Sequence, residues 1–191
     1  MTRPFDFLRQ LLLVAVLVGT SSALRAGTAV RLGVPELLER SDLCLEGRVI
    51  AVRAVVEGQR RIDTEYTIQV ARTFWGEPQA VRVIRIPGGV LPDGRGMTIP
   101  GLPRLALGEE SILFLSVADA SGMRMPVGLA QGRLRIEKDL AGSKRLVRDG
   151  EGLTVLEPAG SAPRRAVLDY AGTLAEIEAA AARRRSKGVR R

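Results

Sequence analysis

The 191 residues carry 29 Lys and Arg against 21 Asp and Glu, with no His and one Cys. The missing His excludes Ser-His-Asp and Cys-His catalysis and most zinc sites, and the lone Cys excludes an internal disulfide or a thiolate metal cluster. A net charge of +8 favours anionic partners, although only Lys138, Lys144 and Lys187 are lysines, an Arg bias that GC-rich coding also produces.

Residues 1–23 have the form of an export signal. Arg3 and Arg9 precede an apolar run over 11–18, and Ser21, Ser22 and Ala23 supply small residues ahead of a cleavage point after Ala23. The run falls short of the roughly 20 residues that a bilayer span needs. A periplasmic or extracellular protein is predicted. Residues 24–34 read as a lead-in, and the β-domain is expected over 35–156. It opens with a short helix over 35–40, Pro35 in its first turn and Leu37 and Leu38 turned inward.

Strands follow. Residues 43–56 are aliphatic, with Gly47 marking a bulge and Cys44 reading as a buried thiol. Residues 62–74 alternate, with Ile62, Thr64, Tyr66, Ile68 and Val70 on the dry face and Asp63, Glu65, Thr67, Gln69 and Ala71 on the wet one. A turn over 75–78 leads to a strand at 80–86. Further strands are expected at 112–117, 125–130 and 134–137, and a terminal hairpin pairs 145–148 with 153–156. Short strands without a βαβ rhythm give the fold class: mainly β, a small OB-like Greek-key barrel of five to seven strands with a short N-terminal helix and a C-terminal amphipathic helix. Residues 157–162 read as a linker and 163–185 as that helix, with Ser161 or Ala162 as its cap and Pro163 in its first turn. Val167, Leu168, Ala171, Leu174, Ile177 and Ala181 form its apolar face, and 186–191 form a basic tail.

No catalytic residue, metal or cofactor is predicted. The chain has no GxSxG, no P-loop and no GxGxxG after a strand. Asp63 and Glu65, at i and i+2 on one strand face and so roughly 7 Å apart, match the spacing of an acid/base pair and also an ordinary solvated face. The stronger candidate is the Gly/Pro-rich loop over 87–104, long for a small domain. Its binding residues are Val90, Leu91, Asp93, Arg95, Met97, Ile99, Leu102 and Arg104, and its alternative role is to close the end of a barrel. Arg183, Arg184, Arg185, Lys187, Arg190 and Arg191 make a second, cationic candidate for an anionic envelope surface. Aromatic residues, at 4%, leave no stacking platform for nucleic acid, and none is expected as a partner.

Between residues 35 and 138 the pattern SDLCLEGRVI, then FWGEP, then PGG…IPGLPRLALGEESILFL…GLAQGR resembles a family of exported bacterial proteins of uncharacterised function. The opening is also similar to the netrin and tissue-metalloprotease-inhibitor module. These resemblances imply an OB-like barrel of five or six strands, secreted or periplasmic, with an exported protease as a partner. The inhibitors place a terminal Cys amine on the protease zinc. Cleavage after Ala23 puts Leu24 first here, so inhibition would need another surface, such as the 87–104 loop.

Overall fold

The computed structural model describes residues 27–58, 61–150, 153–157, 160–161 and 165–189. In chain order the elements are β1 (Gly27–Val30), α1 (Val34–Glu39), β2 (Leu43–Glu57), β3 (Arg61–Trp75), β4 (Val81–Pro87), β5 (Gly89–Val90), β6 (Gly96–Met97), β7 (Glu110–Leu115), β8 (Arg133–Lys138), β9 (Lys144–Asp149), β10 (Leu153–Glu157), β11 (Gly160–Ser161), β12 (Arg165–Asp169) and α2 (Tyr170–Val189). Seven strands make one antiparallel sheet in the order β12-β9-β8-β7-β2-β3-β4. β10 pairs in parallel with β1 and antiparallel with β11, and β5 and β6 form a small hairpin.

Both faces of the large sheet are covered at its middle. On one, Cys44, Ile112, Phe114, Leu134 and Leu146 pack beneath Leu37 and Leu38 of α1 and Leu174, Ile177 and Ala181 of α2. On the other, Leu45, Tyr66, Ile68, Ile84, Ile86, Leu113 and Leu115 pack beneath Leu102 and Leu105, with Ile99, Met125 and Leu129 at the margin. Strand β7 is therefore buried on both sides, Ile112 and Phe114 toward the helices and Leu113 and Leu115 toward the loops. That double burial is why its sequence is a continuous apolar run rather than an alternation. β3 alternates between dry and wetter positions over residues 64–69, but Asp63, expected on the wet face, is fully buried.

Gly47 sits at a register shift between β2 and β3. A Cβ there would strike Ile68 Cγ2 and lie 2.7 Å from the carbonyl oxygen of Gln69. Only glycine lets the two backbones approach this closely, so the bulge expected at Gly47 forms.

Several expectations are corrected. Residues 165–169 are not helical: Val167 and Leu168 pair with Val147 and Leu146 of β9, and α2 starts at Tyr170 and runs on through Val189. Its N-terminus is set by Asp169, whose carboxylate accepts the Gly172 N–H, a capping contact that places Asp169 just outside the first turn. Ala171 and Val167 consequently lie outside the buried stripe. The hairpin expected between 145–148 and 153–156 does not form, because β9 is held between β8 and β12 and β10 pairs with β1. Part of the expected lead-in is β1. Residues 125–130 are not a strand: Gly128, at φ +67, turns the chain into a 3-10 turn over Leu129–Gly132. Among the described residues no ladder joins the two end strands, β12 and β4. The linker expected over 157–162 is partly strand: Glu157 ends β10, and Gly160–Ser161 form β11 and pair with it. The expected signal over 1–23 lies outside the described residues.

Candidate functional site

The loop over 87–104 is folded onto the sheet. Gly88 takes φ +102, donates its N–H to Ile62 O at 2.7 Å, and accepts the Thr64 hydroxyl at 2.6 Å. β5 and β6 then turn about Leu91-Pro92-Asp93-Gly94, where Gly94 N donates to Leu91 O (3.0 Å) and Leu91 N to Arg95 O (2.8 Å). Ile99-Pro100-Gly101-Leu102 is a second turn, with Leu102 N donating to Ile99 O. Pro100 fixes its first central position, and Gly101 supplies the positive φ (+81) its second requires. The loop thus carries its own hydrogen bonds.

Three anchors hold it down. Leu91, Leu102 and Leu105 are buried. The buried Tyr66 hydroxyl accepts the Leu105 N–H and contacts the Thr64 hydroxyl; burial, first of all, pushes its pKa up. Beneath lies Arg133, which sequence reasoning missed. Its guanidinium, 5% exposed, donates to Arg104 O at 2.9 Å and lies 3.5 Å from both Glu109 and Asp149. Gly101 O also accepts the Ala130 N–H at 2.7 Å. The signal available for Arg133 was a charge opening a strand otherwise read as LRIE, which is too common to single out.

The eight loop residues divide. Leu91 and Leu102 are core, and Ile99 packs partly against it. Val90, Asp93, Arg95 and Arg104 are exposed, and Met97 is half-buried. Asp93 accepts both the backbone N–H of Arg95 and its side chain (2.8 Å), contacts that hold its carboxyl below its ordinary pKa. Arg104 reaches the Thr98 hydroxyl at 2.6 Å. Between loop and sheet runs a cleft of about 500 Å³ whose lining includes Val52, Arg53, Tyr66, Val90, Pro92 and Arg104. Its lining is mostly apolar, with Arg53, Thr64 and Arg104 as its polar members beside the Tyr66 hydroxyl.

The cationic candidates separate as well. Arg184 is structural: it stacks on Trp75, 4.2 Å from the ring centre, and donates to Leu38 O and Ser41 O, closing the end of α1. Arg183 and Arg185 are exposed, and Lys187 lies 3.7 Å from Glu39. Arg190 and Arg191 lie outside the described residues.

Asp63 and Glu65 do share a strand, but each is held by guanidinium groups. Asp63 takes two bonds from Arg61, while Glu65 is bonded by Arg53 and Arg85, which lower its pKa. Glu65, kept ionised in this way, is a poor proton donor near neutral pH. Cys44 is fully buried, and desolvation raises its thiol pKa well above the ordinary value. Among the described residues no three His, Cys, Asp or Glu side chains are grouped to hold a metal.

A second polar cluster was not foreseen. Glu46, almost buried on the helix-side face of β2, accepts the Tyr170 hydroxyl at 2.7 Å, with Lys144 at 3.4 Å. Lys144 also stands over the Tyr170 ring at 4.9 Å. Burial, which would lower the Lys144 pKa, is outweighed by Tyr170 and Glu46, and the ammonium is favoured. The lone clue was a Glu inside the aliphatic run LCLEGRV, whose partners lie 98 and 124 residues away.

No protein-family model matches the chain, and no curated protein matches it. Among the described residues no helix is long and apolar enough to cross a membrane.

Proposed function

We propose that this chain is an exported, non-enzymatic binding module that grips a protein partner with the exposed side of the 87–104 loop and the cleft beneath it. The observation that carries this reading is the anchoring of the loop. A segment fixed by buried leucines, Tyr66 and Arg133 loses little conformational entropy on binding, so its exposed groups can spend their contacts on affinity. Val90, Pro92 and Val52 offer apolar contact; Arg104 offers charge, and Arg53 and Arg95 are paired with Glu65 and Asp93. Export rests on the N-terminal signal pattern with cleavage near Ala23. An exported protease is the proposed partner class, following the inhibitor-module resemblance. The finer OB-like reading is supported by two features: the long, bulged β2 shared by β3 and β7, and a parallel bridge between Arg85 and Met123 that brings the chain after β7 to β4.

Replacing the whole loop would remove Leu91 and Leu102 from the core, so the test uses surface changes. Residues 24–191 and a Val90→Asp, Arg95→Glu variant are each used to capture partners from an envelope extract. The variant should keep its thermal midpoint and lose at least about tenfold in capture, the scale of one to two kcal/mol at a binding surface. Equal capture by both proteins rejects the loop as the binding face.

A second reading, an anionic envelope surface bound through α2, has one observation in its favour. Arg184 pins the helix end and leaves Arg183 and Arg185 facing outward. Sedimentation with phosphatidylglycerol vesicles should then fall on changing Arg183 and Arg185 to Gln, and fall further with added salt. Binding indifferent to both rejects it.

A further inference from the structure

We propose that residues 30–32 act as a strap: seated on the turn over 128–132, they hold that turn in a strained form and, through it, set the 87–104 loop. The strap regulates the binding face proposed above and so rests on that reading.

The run GLAQGR over 128–133 joins this arm to the loop. Gln131, 3% exposed, grips main chain rather than side chains. Its Oε1 accepts the Leu32 N–H at 2.9 Å, and its Nε2 donates to Val30 O at 3.0 Å. One amide thus takes the donor and the acceptor that a neighbouring strand would take. Arg148 adds a third bond, from Nη1 to Leu32 O at 3.0 Å. The buried Leu32 side chain lies against Gly128, where a Cβ would come within 2.8 Å of Leu32 Cδ1. On its other side the turn meets the loop. Ala130 N donates to Gly101 O at 2.7 Å, Leu129 packs against the cluster that holds Leu102 and Leu105, and Arg133 bonds Arg104 O at 2.9 Å. Leu32 belongs to the helix-side core and Leu129 to the margin of the loop-side core, so the turn links the two faces of the sheet.

The turn itself is strained. Gly128 takes φ +67 and Leu129 φ +61. The left-handed region suits glycine; a leucine there costs free energy and persists only where its surroundings over-determine it. Those surroundings come from two sides, the arm at Gly128 and Gln131 and the loop at Leu129 and Ala130. A strained element held from two sides is one that both sides bias, which is the condition for coupling between them. The arm can move without breaking the large sheet: β1 pairs with β10, and among the described residues no ladder joins either strand to the seven. With the arm seated, the loop is fixed. With it off, Leu129 relaxes, Ala130 releases Gly101, and the loop slackens over 99–104.

Amide exchange on the full chain tests the strap without any partner. Gln131→Met keeps the length of the side chain and removes both bonds to the arm. Leu32→Ala lies on the arm itself and removes the contact with Gly128. In each variant exchange at Ala130 and Leu102 should speed at least about tenfold more than exchange at the β7 amides. The double variant should match the faster single at those two sites, since both changes undo one seated state. Equal speeding of loop and β7 amides, which general destabilisation gives, overturns the proposal. So do effects that add in the double variant, and unchanged exchange at Ala130 and Leu102. Selective speeding here with equal capture by the Val90 and Arg95 variant keeps the strap and rejects the binding face; the reverse pair of results keeps the binding face and rejects the strap.

Discussion

Cys44 shows how burial decides the chemistry of a side chain. It stands between helix-side neighbours with no exposed surface and no base nearby, and its thiol is held protonated. Ellman's reagent should therefore leave the native protein unmodified over hours and label one equivalent once denaturant is added; rapid native labelling would show that β2 is not covered by α1 and α2. Arg133 makes the opposite point. A guanidinium is buried there because Glu109, Asp149 and the Arg104 carbonyl together satisfy it. Arg133→Met should cost about 3–5 kcal/mol, since it takes the cation from the nearly buried Glu109 carboxylate and leaves it the Ala106 N–H and the Ser111 hydroxyl. Urea unfolding checks this, and a loss under about 1 kcal/mol would mean that the loop does not depend on Arg133.

At the scale of the elements, the strands were legible because their periods are local. The alternation in β3, the apolar run of β7 and the glycine at the β2 bulge each follow from which faces are covered. What escaped was decided at long range. Residues 165–169 carry adjacent apolar residues that suit a helix face, yet pairing with β9 overrode that preference, and Asp169 rather than Pro163 begins the helix. Residues 145–148 and 153–156 each look like strands, and nothing local says that they join different partners. Three of the eight loop residues offered as a binding surface, Leu91, Ile99 and Leu102, proved to be packing residues. An apolar side chain between prolines and glycines reads the same whether it faces a partner or the protein's own core.

For the molecule as a whole, the sheet divides the chain into a helix-covered face and a loop-covered face. The loop face would be open to water without residues 99–105, so the segment put forward for binding is also half of a core. That dual use is the central claim, and amide exchange tests it most directly. The N–H groups of Leu102 and Leu105 are bonded within the loop and to Tyr66. They should exchange at least about a hundredfold more slowly than a free chain, with opening energies near those of the β7 amides. Exchange at free-chain rates across 87–105, with the sheet still protected, would make the loop a mobile flap and contradict the account.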